Sequence, residues 1–170
     1  MMAEIFPIVD EQGRVTGKAT RQECHSGTFL LHPVVHLHVL NPEGLLFLQK
    51  RSMLKDVQPG KWDTSVGGHV DYGESIEQAL FREAREELGI SNFQAVFMHR
   101  YRFTSSIESE LVHSYYAVIT QTPVPDAVEI EEGRFWTAAE ILENLGKDLF
   151  TPNFEDEFQR LYFSNRLPVH

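Results

Sequence analysis

The sequence predicts an α/β fold in which a mixed β-sheet is packed between helices and is preceded by an N-terminal β-hairpin. Three observations carry this. Segments of period-two alternation come in pairs around turn residues, residues 67–90 run from a glycine-rich loop into an amphipathic helix, and two further helical stretches close the chain behind the last strand. No repeat, low-complexity tract or linker interrupts the 170 residues, and 42% hydrophobic content is enough for one well-buried domain. A single domain over 1–170 is therefore expected, with about the first thirty residues as an N-terminal extension.

Ile5 to Val9 is a short apolar run, Asp10-Glu11-Gln12-Gly13 is turn chemistry and Arg14 to Thr20 alternates weakly, so the chain opens with a hairpin. No element follows from Arg21 to Leu31. Pro33 to Leu40 sets Val35, Leu37 and Val39 against His36 and His38, and Asn41-Pro42-Glu43-Gly44 turns it into a strand at Leu45 to Arg51, a second hairpin. Ser52 to Gly60 is a polar loop, and Lys61 to Val66 leads into the glycine loop. Phe93 to Phe103 and Glu110 to Thr122 read as strands joined at Thr104-Ser105-Ser106, with Gly133 to Trp136 as one more. Thr137 and Glu140 form a capping box for a helix with Ile141, Leu142 and Leu145 inward. Phe154 to Phe163, apolar at 154, 158, 161 and 162, is the last helix.

The helix within 67–90 starts at Ser75, whose capping box with Gln78 satisfies two open backbone donors, and ends at Gly89, suited to a left-handed position. At about 100° per residue, Ile76, Ala79, Leu80, Ala84 and Leu88 share the arc that faces the core. Glu83, Glu86 and Glu87 lie side by side at the edge of that arc or inside it. Three such carboxylates repel one another, and near the negative end of the helix dipole each exposed acid loses about 0.3–1 kcal/mol. A divalent cation reverses both penalties. An acidic run of this kind is more often a solvated face with arginine partners; its place against the apolar arc, behind a glycine loop, favours a metal site here.

Taken whole, Gly68, five residues, Glu74, seven residues and then REAREELGI resembles the Nudix box, with every glycine, glutamate and arginine of the pattern present. The resemblance implies a Nudix α/β/α sandwich. By position it implies that Glu83, Glu86 and Glu87 bind metal, that Gly68 adds its backbone carbonyl, that Arg82 orients a catalytic glutamate and that Glu74 supports the loop–helix geometry. Hard oxygen ligands suit Mg²⁺ or Mn²⁺, which keep waters and bridge to substrate phosphates. The expected activity is metal-dependent hydrolysis of a diphosphate bond in a small, nucleoside-diphosphate-linked or related substrate.

The stretches EIFPIVDEQGRVTGKATRQECH and PGKWDTSVGGH look like the isopentenyl diphosphate isomerase branch of this superfamily and hydrolases close to it. That likeness implies a second metal site at His25, His32, His69, Glu108 and Glu110, whose imidazoles and carboxylates suit a transition metal or Mg²⁺. Otherwise His32 and His69 fix loops, and Glu108 and Glu110 are strand-edge charges. The isomerase carries a catalytic cysteine just before Gly-His; here that place is Gly67. Cys24 reads as a small apolar packing residue. The expectation is a hydrolase on an isomerase-like framework, with an isomerase and a catalytically silent nucleotide sensor as alternatives.

For a general base, Glu86 or Glu87 comes first, with Glu110, Glu131 and Glu132 behind. Lys50, Arg51, Lys55 and Lys61 put four cations near the motif for substrate phosphates, and Trp62, Tyr72, Tyr101 and Phe103 are the aromatics available to stack a nucleobase. A net charge of −10 without any Lys/Arg block disfavours nucleic-acid and membrane partners. No apolar run reaches about 18 residues and MMAEIFPIVD lacks a basic region before a hydrophobic stretch, so neither spanning nor secretion is expected. One cysteine excludes an intramolecular disulfide, and a reducing cytoplasm is expected. A homodimer using the opening hairpin is compatible with the resemblance.

Overall fold

The computed structural model describes residues 3–170; Met1 and Met2 of the opening stretch lie outside them. The hairpin forms as expected. Strand β1 (Ile5–Val9) pairs antiparallel with β2 (Val15–Thr20), from Ile5 opposite Thr20 to Val9 opposite Val15. Asp10 Oδ1 accepts the backbone N–H groups of Gln12 and Arg14 across the turn, and Gly13 supplies the positive φ of +82° that closes it. The stretch without a sequence assignment holds one helical turn, α1 (Arg21–Cys24), capped by Thr20 accepting the Glu23 N–H at 3.1 Å.

A mixed seven-stranded sheet follows, made of β3 (Leu31–Leu40), β4 (Leu46–Arg51), β5 (Trp62–Asp63), β6 (Val66–His69), β7 (Val96–Thr104), β8 (Ser109–Val118) and β9 (Ile130–Trp136). β3 is its centre, parallel to β8 over its whole length and antiparallel to β6. Alternation along β3 serves two cores. Val35, Leu37 and Val39 pack with Ala79, Leu80, Ala84 and Leu88 of α2 (Ile76–Leu88). On the other face, α3 (Ala138–Asn144) and α4 (Pro152–Phe163) bring Ile141, Phe154, Phe158 and Leu161 onto Leu46, Leu48 and Trp62. The chain is thus an α/β/α sandwich. Both capping boxes are present, Ser75 with Gln78 and Thr137 with Glu140, and Gly89 ends α2 at φ +64°.

Several boundaries and one pairing differ from expectation. β8 stops at Val118 rather than Thr122, and β9 starts at Ile130 rather than Gly133. The second hairpin is only a turn, since β3 and β4 pair at Leu40 and Leu46 alone. Beyond that point β6 takes the place beside β3, while β4 pairs with β5 and β9. Gly67, Gly68 and His69 accordingly lie in a strand, and the loop ahead of α2 begins at Val70. All ten residues of β3 are buried, so the His36/His38 side of its alternation is not a solvated face. Among the described residues no helix is long and apolar enough to cross a membrane.

Candidate active site

β6 aims consecutive residues at two sites. Gly68 stands opposite Val35 and faces α2, whereas His69 stands opposite Val34 and faces the other side. On the α2 side, a Cβ at position 68 would fall 2.2 Å from Cδ of Glu83, so only glycine lets that carboxylate lie against the strand. Arg82 is the hub of the loop–helix junction. Its Nε and one Nη donate to both oxygens of Glu74 at 2.7 and 2.9 Å, and it also donates to Glu83 at 2.8 Å, to Glu86 at 3.3 Å and to the His69 carbonyl at 3.0 Å. A bidentate guanidinium–carboxylate pair fixes orientation as well as charge. Glu74 also accepts the Asp71 N–H at 3.0 Å, tying the loop to the start of the helix.

Glu87 is held from β4 by Gln49, which donates to Oε1 at 2.8 Å, and the nearby Gly67 N–H on β6 favours its charged form. Its other oxygen is buried without a hydrogen-bond partner. Burial and then the neighbouring Glu83 carboxylate raise Glu87 well above the usual carboxylate range, and burial also raises Glu83. Glu86 is more than half exposed. Two crowded, desolvated carboxylates and an unpaired oxygen beside a strand backbone fit a hard divalent cation.

The opposite side gathers His25 behind α1, His32 on β3, His69 on β6 and Glu108 just before β8, with potential ligand atoms within 4.8 Å of one another. Nε2 of all three histidines and Oε1 of Glu108 are buried without hydrogen-bond partners. His32 Nδ1 donates to the Leu30 carbonyl at 2.8 Å, which turns its Nε2 lone pair toward the group. Burial lowers His25, and burial with nearby Arg21 lowers His69 to about 3, which favours the neutral form that a ligand needs in these two rings. Glu108 is held down at about 2 against its burial, through His32 and Glu110; burial and Glu108 push Glu110 up to about 8. Glu110 stands opposite His32 but outside the group of four. Phe6 from the hairpin stacks on His69 at 4.4 Å and on His32 at 5.8 Å, walling the site.

The four cations expected to meet substrate phosphates differ in what they face. Lys55 pairs with Glu129, Lys61 with Asp148, and Arg51 with Asp63 at 3.4 Å, so acids of the fold already occupy three of the four cations. Of these four, Lys50 alone has no ion pair among the described residues. Of the stacking candidates, Trp62 is buried edge-on against Trp136 and Tyr101 donates its hydroxyl within the core. Phe103 is half-buried, and Tyr72 alone is exposed. Glu131 and Glu132 are exposed on β9. Burial raises the Cys24 thiol to about 11, in keeping with a packing residue. Sequence reasoning missed Gln49, Phe6 and the buried Glu157, which lies at the far end of the chain from its partners.

The NUDIX domain sequence pattern matches residues 30–158. The chain belongs to the Nudix family. The match leaves out the β1–β2 hairpin and α1. Over 137 residues the chain is 37% identical to an isopentenyl-diphosphate Delta-isomerase of Kocuria rhizophila, covering 77% of this chain and 76% of that one. It is 34% identical to an uncharacterized Nudix hydrolase of Streptomyces coelicolor over 160 residues, 93% and 88% of the two chains. The crystal structure of DR0079 from Deinococcus radiodurans superposes with a TM-score of 0.81 at 26% identity, covering 94% and 99%. As a Nudix protein the chain is an enzyme of the class that hydrolyses phosphoric anhydride bonds, in a family that works with divalent metals.

Proposed function

We propose that this Nudix protein is a pyrophosphohydrolase that uses Mg²⁺ or Mn²⁺ to cleave a diphosphate bond in a nucleoside-diphosphate-linked or related small phosphate compound, by attack of water on phosphorus. The reading is carried by the Glu83–Glu87 pair, crowded against Gly68 with one buried oxygen left unpartnered. Gly68, Glu83, Glu86 and Glu87 are the residues that would hold the metal. A divalent ion held there would neutralise charge on phosphate oxygens and lower the pKa of a bound water. The chain's own part is positional. Arg82 keeps Glu83 and Glu86 in place from its anchor on Glu74, Gln49 fixes Glu87, and Glu86, exposed and on the last turns of α2, is the leading base for the attacking water. A reducing cytoplasm suits the single buried cysteine.

Formation of phosphorylated cleavage products should be followed over nucleoside di- and triphosphates, nucleotide sugars, coenzyme A and dinucleotides, with Mg²⁺ or Mn²⁺ and with chelator. Cleavage of one class that chelator stops is the expected result; no metal-dependent cleavage of any of them defeats the reading. The three-histidine cluster favours a second reading, an isomerase acting on isopentenyl diphosphate with its metal at His25, His32, His69 and Glu108. Gly67 offers no side chain to move a proton there, which keeps hydrolysis first. Formation of the allylic isomer without cleavage would reverse that order.

A further inference from the structure

Opposite Gly67 on β3 stands His36, on the sheet face away from α2. A Cβ at position 67 would lie 3.5 Å from Cδ2 and 3.8 Å from Nε2 of this imidazole, so the missing side chain leaves the outer edge of the ring lining the space over an exposed glycine. The inner edge is committed. His36 Nδ1 donates to Oε1 of Glu157 at 3.0 Å, and Glu157, fully buried on α4, also accepts from Tyr101, from Ser114 at 2.8 Å and from His38 Nε2. A buried carboxylate with four donors is a costly, rigid fixture. Its two histidines differ in reach: the second nitrogen of His38 is enclosed without a partner, while that of His36 meets no protein group among the described residues and faces Gly67. On the other side the Gly67 N–H lies near Glu87 and favours its charged form. One glycine thus separates the crowded carboxylates of α2 from a fixed imidazole nitrogen.

We propose that His36 is a substrate-contacting residue, its Nε2 meeting a phosphate oxygen of a diphosphate laid across Gly67. This rests on the diphosphate reading and adds a contact on the face of β6 that carries none of the α2 glutamates. His36→Asn keeps an N–H where Nδ1 was, for Glu157, and removes Nε2. Gly67→Ala adds a methyl group at ordinary contact distance, between ligand and ring.

The probe is methylenediphosphonate with Mg²⁺, which cannot be hydrolysed, added to the full chain carrying ¹⁵N-labelled histidine rings. The His36 Nε2 signal should move while that of His38 stays, and both variants should bind at least about tenfold more weakly, the loss expected of one charge-assisted hydrogen bond, with Gly67→Ala keeping the wild-type melting temperature and His36→Asn measured well below its own lowered one. A His36 signal unmoved at saturation overturns the proposal, as does His36→Asn binding within twofold of wild type, or no binding at all. Failure of the hydrolase reading shows separately, as wild-type protein that cleaves no diphosphate, and the His36 signal still decides this contact.

Discussion

Gly68 and Glu83 touch so closely that a methyl group cannot come between them: a Cβ on the glycine would lie 2.2 Å from the carboxylate carbon. Gly68→Ala must therefore push Glu83 away from the strand while leaving the sheet intact, because the atom in the way is the end of a flexible side chain. Divalent-metal affinity, measured by calorimetry, should fall about 10–100-fold, the range seen when the setting of a metal ligand is disturbed.

Glu87→Gln removes a charge and almost no volume. Turnover dependent on Mg²⁺ or Mn²⁺ should disappear. Without metal the variant should be more stable than wild type at neutral pH, since Glu83 and Glu87 both have raised pKa values and so charge up at the expense of the fold as pH rises above the usual carboxylate range. A gain of about 1 kcal/mol would raise the melting temperature by about 2–4 °C. Added divalent metal should raise the melting temperature of wild type and not of the variant; equal responses would contradict the assignment.

The histidine cluster should bind a transition metal independently of α2. Titration of Zn²⁺ into Glu87→Gln should retain a site that His32→Ala loses. Because His69 is lowered to about 3 and is already neutral, binding at pH 7 should release few protons from it. Loss of the site in Glu87→Gln would show that the two places are one.

Glu157→Gln leaves His36 and His38 facing a neutral amide in the core, and removing one member of a buried pair costs about 3–5 kcal/mol. Despite burial, Glu157 raises His36 to about 9 from an ordinary value near 6.5. The folded state favours the charged ring, so this stabilisation is full below about pH 6.5 and is lost as pH rises through about 9. The difference in urea stability between wild type and variant should therefore shrink from pH 7 to pH 10. A constant difference would mean that the ring is not charged in the fold.

Much of the fold could be read locally. The caps at Ser75, Gly89 and Thr137, the apolar arc of α2 and the turn at Asp10–Gly13 depend on residues within a few positions, and the structure has them all. The spacing of the box brought Glu74, Arg82 and Glu83 together for the same reason. What could not be read depends on distant partners. The acids that neutralise Lys55 and Lys61, Glu129 and Asp148, sit 74 and 87 residues on, and Glu157 is 121 residues from His36. The alternation of His36 and His38 within β3 was visible, but whether that face meets water or a helix is decided by where α4 docks.

The parallel pairing of β3 with β8 also sets the order in which this molecule can be made. The two strands lie side by side along their full length, yet all of β4 to β7 and the helix α2 intervene between them in the chain. Ribosome-bound protein lacking β8 has Gly68, His32, Glu108 and the whole glutamate helix but not the partner that lines up β3, and long-range parallel pairing is slow to form. Catalytic competence should appear on refolding as one late event, in step with the final burial of the sheet, and no shorter fragment ending before β8 should acquire it.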